Sequence, residues 1–272
     1  MLHVLVALRP EAAPFVDAWK LRHQDEVRGF DLWCGDLGDL PVRLIRTGLG
    51  KARMAAGVGW LAALTGSPTI WLNAGIAGHG SLATGEVVLA HRVLDVSSGR
   101  SSYPPLVFEP PCETCELRTV DVPETEFLGG NDVAFDMEGS AFVEAALRFS
   151  TAEFVHCLKI VSDGPDAPVG QLDRRRIRRL AAELVPTAAE CVNRLRPVFD
   201  ELQSCEDDPP DFHRLLGLHH YTVNDRLQLR RLLQRRSALA PGELLPEDVE
   251  SARRGKDVNR VLRTWLDEFV SE

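Results

Sequence analysis

The chain is short of positive charge, of long apolar runs and of paired-looking cysteines. Lys and Arg number 31 against 40 Asp and Glu, a formal charge of −9. That balance excludes a general binder of phosphate backbones. No apolar run reaches the length of a bilayer span, so no membrane helix is expected. The opening run Met1–Leu8 lacks a basic leader and meets Arg9, Pro10 and Glu11 at once, so it reads as a first strand and not as a signal peptide. The Cys residues (Cys34, Cys112, Cys115, Cys157, Cys191 and Cys205) are scattered, which predicts reduced thiols in a cytoplasmic protein and no disulfide framework. A hydrophobic fraction of 44% and a charged fraction of 26% exclude disorder and collagen-like architecture.

What is present is strand–helix alternation over roughly 200 of the 272 residues. His3–Leu8 reads as a strand and Pro10–Leu21 as a helix, with Pro where a missing N–H costs nothing. Gly29–Leu37 and Pro41–Thr47 form two strands around a Gly/Asp turn, and Lys51–Leu64 has helical spacing. Thr69–Asn73 is a buried strand opening into the Gly-rich segment Ala74–Gly80, and Glu86–Val96 is a further strand. Ser97–Thr114 reads as a loop, Ser140–Phe149 as a helix, Phe154–Val161 as a strand and Leu172–Leu195 as a long helix. This pattern predicts an α/β three-layer sandwich with a central mixed sheet over residues 1–200. After the acidic, Pro-containing break Glu206–Asp211, residues 201–272 read as an α-helical extension, with Leu215–Leu233 rich in Leu and Arg and a helix opening at Pro246.

In such sheets functional residues gather at the carboxyl ends of strands. Four segments fit: Glu11 after the first strand, Thr47–Lys51, Asn73–Gly78 and Ser162–Gly164; a fifth, Phe135–Ser140, enters a helix from an apolar stretch. Together with Gly85-Glu86-Val87-Val88, they stand in the order and near the spacing found in the nucleoside phosphorylase/nucleosidase superfamily. The chain most closely resembles its methylthioadenosine/S-adenosylhomocysteine nucleosidase branch, over residues 1 to about 198. Each motif alone is weak; the ordered set is the signal.

The resemblance implies hydrolysis of the N-ribosidic bond of an adenosine-type nucleoside, modified at the 5′ position, with no cofactor and no metal. Cleavage places positive charge on the ribose and negative charge on the departing base. Asp163 matches the acid that protonates the purine, which requires a raised pKa. Glu138 matches the acid gripping the ribose hydroxyls, and when ionised it favours the cationic transition state. Met137 would lie against the sugar, and Glu11 matches the acid that activates water. Gly75, Ile76, Ala77 and Ser162 would line the substrate site. The resemblance also implies a homodimer whose partner subunit helps build the 5′ pocket. Ile76 departs from the small polar residue usual there, and the segment before Asp136 is about a helix short, leaving Val122, Pro123 or Phe127 to stand in for the aromatic that stacks on the purine. Arg9 beside Glu11 keeps a phosphate-dependent phosphorylase of the same fold open, and the departures keep a non-catalytic nucleoside-binding protein open.

Other features have plainer readings. Glu11 and Glu138 also suit first-turn helix acids, and Asp163 suits a cap. Cys112 and Cys115 have zinc spacing but no second pair; His213, His219, His220 and Cys205 could complete a site only by long-range folding, so loop thiols are expected. His79 reads as a loop histidine that could border the pocket. His219, His220 and Tyr221 read as structural. Arg174–Arg179 reads as a solvated helix face without interleaved aromatics, and the Leu stripe of Leu227–Arg236 must pack on protein.

Overall fold

Short apolar runs form the strands, and the helices between them bury one stripe each. The computed structural model describes residues 1–24, 29–65, 69–127, 130, 132–206 and 208–269, in two compact units, Met1–Phe199 and Asp200–Glu272.

In the first unit, Leu2–Val6 (β1) is buried along its whole length and leads into Arg9–Ala18 (α1). Arg22–His23 (β2), Asp31–Leu37 (β3) and Leu40–Arg46 (β4) form an antiparallel edge, with β4 parallel to β1. Lys51–Ala63 (α2) follows, burying Met54, Val58 and Leu61. Ile70–His79 (β5) continues through the Gly-rich segment, which the sequence suggested would open out after Asn73. It stays extended because it pairs with two later strands, Val133–Asp136 (β9) and Val155–Asp163 (β10).

Val87–Asp95 (β6), Ser101–Ser102 (β7) and Glu113–Thr119 (β8) come between. Residues 97–114 are therefore not all loop. The stretch holds β7 and the start of β8, whose alternation puts Cys115, Leu117 and Thr119 inside and Glu116 and Arg118 towards the rim. Gly139–Ala146 (α3) and, up to Phe199, Arg174–Glu206 (α4) complete the unit.

The strands make one mixed sheet in the order β10-β6-β8-β9-β5-β1-β4-β3-β2. Because β10 also pairs with β5, strands β5, β9, β8, β6 and β10 close into a ring at one end of that sheet. The core joins Leu5, Ile45 and Trp71 of the strands to Met54, Val58 and Phe142 of the helices.

In the second unit, Phe212–Leu218 (α5), Val223–Leu239 (α6), Asp248–Ser251 (α7) and Gly255–Glu268 (α8) share a core of their own. The Leu/Arg-rich run is interrupted between α5 and α6, where Thr222 caps α6 by accepting from the Asp225 N–H at 3.2 Å. Tyr221 and Leu229, Leu232 and Leu233 are buried in that core. Among the described residues, no helix is long and apolar enough to cross a membrane.

Candidate active site

The carboxyl ends of β1, β4, β5, β9 and β10 surround one cavity of about 270 Å³. Its wall includes Glu11, Ile76, Ala77, Met137, Glu138, Ser162 and Asp163. Gly75 is not on the wall. A Cβ there would stand 2.9 Å from Glu11 Oε1, so this glycine makes room for the carboxylate.

Glu11 is 2% exposed. Its Oε2 accepts from the Leu8 N–H at 2.7 Å, and its Oε1 from the Ile76 N–H on β5 at 3.0 Å. The first bond ties down the start of α1. The second fixes the carboxylate to the sheet, which a helix-end acid alone does not need. Burial raises its pKa; the two N–H groups and the Lys159 charge oppose that rise.

Glu138 precedes α3. Its Oε1 accepts from the Gly50 N–H at 2.7 Å, and Gly50 holds φ at +97°, a region costly for other residues. Burial, and then the neighbouring Asp136 charge, push its pKa up to about 7.

Asp163 ends β10 just past a register shift between Val161 and Asp163. The Ser162 hydroxyl lies within hydrogen-bonding distance of Asp163 Oδ1 and of the Ala77 carbonyl. Burial raises the pKa of Asp163 against the Ser162 hydroxyl and the Arg176 charge.

Beneath these groups lies a buried ion pair that the motifs did not reveal. Lys159 Nζ stands 2.8 Å from Asp136 Oδ2 and 2.7 Å from Asn73 Oδ1. Asp136 also accepts from Thr119 Oγ1 and from the Gly139 N–H, both at 2.8 Å. Burial works against the Lys159 charge, but Asp136 and Glu138 hold its pKa above the usual lysine value. The signal in the sequence is a lone Lys inside the apolar run Phe154–Val161.

The charged residues on the cavity wall are all acids: Glu11, Glu124, Asp136, Glu138 and Asp163. Among the described wall residues there is no Lys, Arg or His. Arg9 is exposed and off the wall. Apart from Ser162 the remaining wall is apolar, with Leu8, Leu49, Val120, Pro123, Leu172 and Ile177. Ile177 comes from the middle of the basic run that opens α4.

Of the three stand-ins for a stacking aromatic, Pro123 is on the wall and Val122 is 71% exposed. Phe127 packs over Gly78, where a Cβ would meet both its ring and Asp163 Oδ2, and its ring lies edge-on to Phe135 at 6.0 Å.

His79 is buried on β5, and its Nδ1 accepts from the Ser81 and Leu82 N–H groups at 3.1 and 3.0 Å; it is neither a loop residue nor on the cavity wall. Burial raises the Cys112 thiol to about 11 and that of Cys115 to about 12, so both are protonated thiols at neutral pH. No group of three His, Cys, Asp or Glu suited to a metal occurs among the described residues, and the Cys205 side chain lies outside them. Arg178 pairs with Asp17 at 2.8 Å on the surface, in keeping with a solvated face for that run.

Residues 2–121 match the family model of the phosphorylase superfamily. The first unit has the phosphorylase-superfamily fold. Similar solved structures include the 5′-methylthioadenosine nucleosidase of Arabidopsis thaliana, 20% identical with a TM-score of 0.60, covering 71% of this chain and 95% of that one. The 5′-methylthioadenosine/S-adenosylhomocysteine nucleosidase of S. pneumoniae, with a transition-state inhibitor, is 20% identical with a TM-score of 0.58, covering 71% of this chain and 99% of that one. The nucleosidase of Colwellia psychrerythraea 34H, in complex with adenine, is 18% identical with a TM-score of 0.58, covering 71% of this chain and 95% of that one. No curated protein sequence matches the chain. The resemblance expected from the ordered motifs thus holds for the fold, and the first unit carries the whole cavity.

Proposed function

We propose that the chain hydrolyses the N-ribosidic bond of an adenosine-type nucleoside whose 5′ substituent carries no net negative charge, and releases adenine. The observation that carries this reading is the convergence of Glu11, Glu138 and Asp163, distant in sequence, on one cavity with an acid-only charged wall.

Departure of the base leaves positive charge on the ribose, which carboxylates stabilise more than they stabilise the neutral substrate. Glu138, ionised, holds the ribose hydroxyls and faces that charge. Asp163 donates its proton to N7 as the C1′–N9 electron pair moves onto the base. Glu11 takes a proton from the water whose oxygen forms the new bond to C1′. The raised pKa of Asp163 suits a donor near neutrality, and that of Glu11 strengthens it as a base. Phosphorolysis would bring a dianion against five acids with no cation on the described wall, which is why water is favoured as the nucleophile. The fold's nucleosidase neighbours support the same reading.

The test is incubation with methylthioadenosine, S-adenosylhomocysteine, 5′-deoxyadenosine, adenosine and adenosine 5′-phosphate, with and without inorganic phosphate. Adenine release without phosphate is expected from the substrates that carry no net negative charge, with the 5′-phosphate left intact. Release only in the presence of phosphate would make the chain a phosphorylase. Release under neither condition would overturn the reading.

A further inference from the structure

Lys51 is the last residue of the Thr47–Lys51 segment, and the reaction as derived leaves it without a task. It opens α2, directly after the Gly50 N–H that grips Glu138. Its ammonium stands 3.1 Å from Asp95 Oδ2 at the end of β6, 2.7 Å from Asp121 Oδ1 after β8, and 3.3 Å from Ser97 Oγ. Asp95 Oδ2 also accepts from Ser140 Oγ in the first turn of α3, at 2.9 Å. The beginnings of α2 and α3 therefore hang on the same carboxylate. The Ser140 N–H in turn donates to Thr119 Oγ1 at 2.8 Å, and that hydroxyl donates to Asp136.

We infer that Lys51, through Asp95 and Ser140, is a positioning device for Glu138: it fixes the distance between the Gly50 N–H and the carboxylate that holds the ribose. This rests on the nucleosidase reading of Glu138. Lys51 is off the cavity wall and touches no substrate. Two features make geometry its main effect. Partly exposed ammonium–carboxylate contacts, such as the two that Lys51 makes, each add little to folding stability. A donor bond to a catalytic carboxylate, in contrast, loses its value with a small displacement. A free N–H at a helix start also has few ways to stay aimed at one oxygen unless that start is tied down.

The pH response follows from the groups that face Glu138. Burial, Asp136 and Glu11 raise its pKa, while Lys159 and the Gly50 N–H lower it. Loosening the Gly50 contact removes one of the two lowering influences. The acid limb of activity that follows Glu138 ionisation then moves to higher pH.

The experiment compares wild type, Lys51→Met, Lys51→Arg, Ser140→Ala and the surface control Arg178→Met. It measures kcat/KM for adenine release across pH, thermal unfolding, and calorimetric binding of formycin A, a C-nucleoside with no N-glycosidic bond to cut. Lys51→Met and Ser140→Ala should each lose about tenfold or more in kcat/KM and in formycin A affinity. Their acid limb should move to higher pH, and their unfolding temperature should stay near wild type. Lys51→Arg should recover most of the loss, and Arg178→Met should match wild type. Lys51→Met and Ser140→Ala within twofold of wild type, with an unmoved limb, would overturn the inference while leaving the nucleosidase reading intact. A wild type without turnover would overturn that reading instead, and formycin A affinity would then decide the positioning role by itself. Wild type that neither turns over nor binds formycin A would overturn both.

Discussion

Each of the three central acids is held by a different neighbour, and the holding group predicts what a substitution does. Glu11 is fixed by two N–H groups, Glu138 by one, and Asp163 by a hydroxyl. Glu11→Gln and Asp163→Asn keep size and most contacts but remove a proton acceptor and a proton donor. Each should lower kcat by about a hundredfold to ten-thousandfold while the protein still binds formycin A. Activity should also follow a bell in pH. Raised carboxyl pKa values mean that Asp163 keeps its proton further toward neutrality, while Glu138 becomes ionised only as the pH passes about 7. Initial-rate pH profiles check this. At this scale the sequence was informative about types and positions, because the acids stand at strand ends within ordered motifs. It was silent on the Lys159–Asp136–Asn73 cluster, since that contact depends on which strands become neighbours in the sheet. It also named Gly75 as lining, whereas that residue lies off the wall and makes room for Glu11.

Among elements, β1, α1, β3, β4 and α2 stand where the sequence puts them, to within a few residues, whereas the two-residue β2 was not expected. The misses have physical causes. The start of β8 lies next to a Pro- and Ser-rich stretch, and its alternation of Cys115, Leu117 and Thr119 with Glu116 and Arg118 was readable but short. Beyond Asn73, β5 looks too glycine-rich to remain a strand by propensity alone. Pairing with β9 and β10 overrides that preference, and Phe127 and Asp163 need the missing side chain at Gly78. The same reasoning gives a prediction in the helical unit. A Cβ on Gly255, at the start of α8, would collide with the Tyr221 ring. Gly255→Ala should therefore destabilise that unit by about 1–3 kcal/mol, despite alanine's better helix propensity. Adding Tyr221→Ala should make the double variant less destabilised than the sum of the single ones. Thermal or urea unfolding of the four proteins checks it.

At the scale of the whole molecule, burial of uncharged histidines should make stability depend on acid. Burial lowers the pKa of His3 to about 3 and that of His156 to about 4. In the unfolded chain both titrate near the ordinary value of about 6.5. Between those limits the unfolded state binds more protons, so the stability these groups allow above pH 6.5 is lost as the pH falls toward 4. The raised carboxyls act in the opposite sense, because there the folded state is the one that binds more protons. The histidine effect is therefore best isolated by difference. His156→Gln should cost stability at pH 7, and that cost should shrink at pH 5 by on the order of 2 kcal/mol. Urea titrations at the two pH values give the comparison.

The closed ring of strands has one more consequence. Ile76, Asp136 and Asp163 belong to strands hydrogen-bonded in a loop, so none of them can shift without straining the rest. Val120, Pro123, Leu172 and Ile177 lie outside that loop and face the same hollow. Under the proposed reaction, new substrate preferences are thus free to arise by redecorating the rim, while the spacing of the acids on the floor is inherited unchanged.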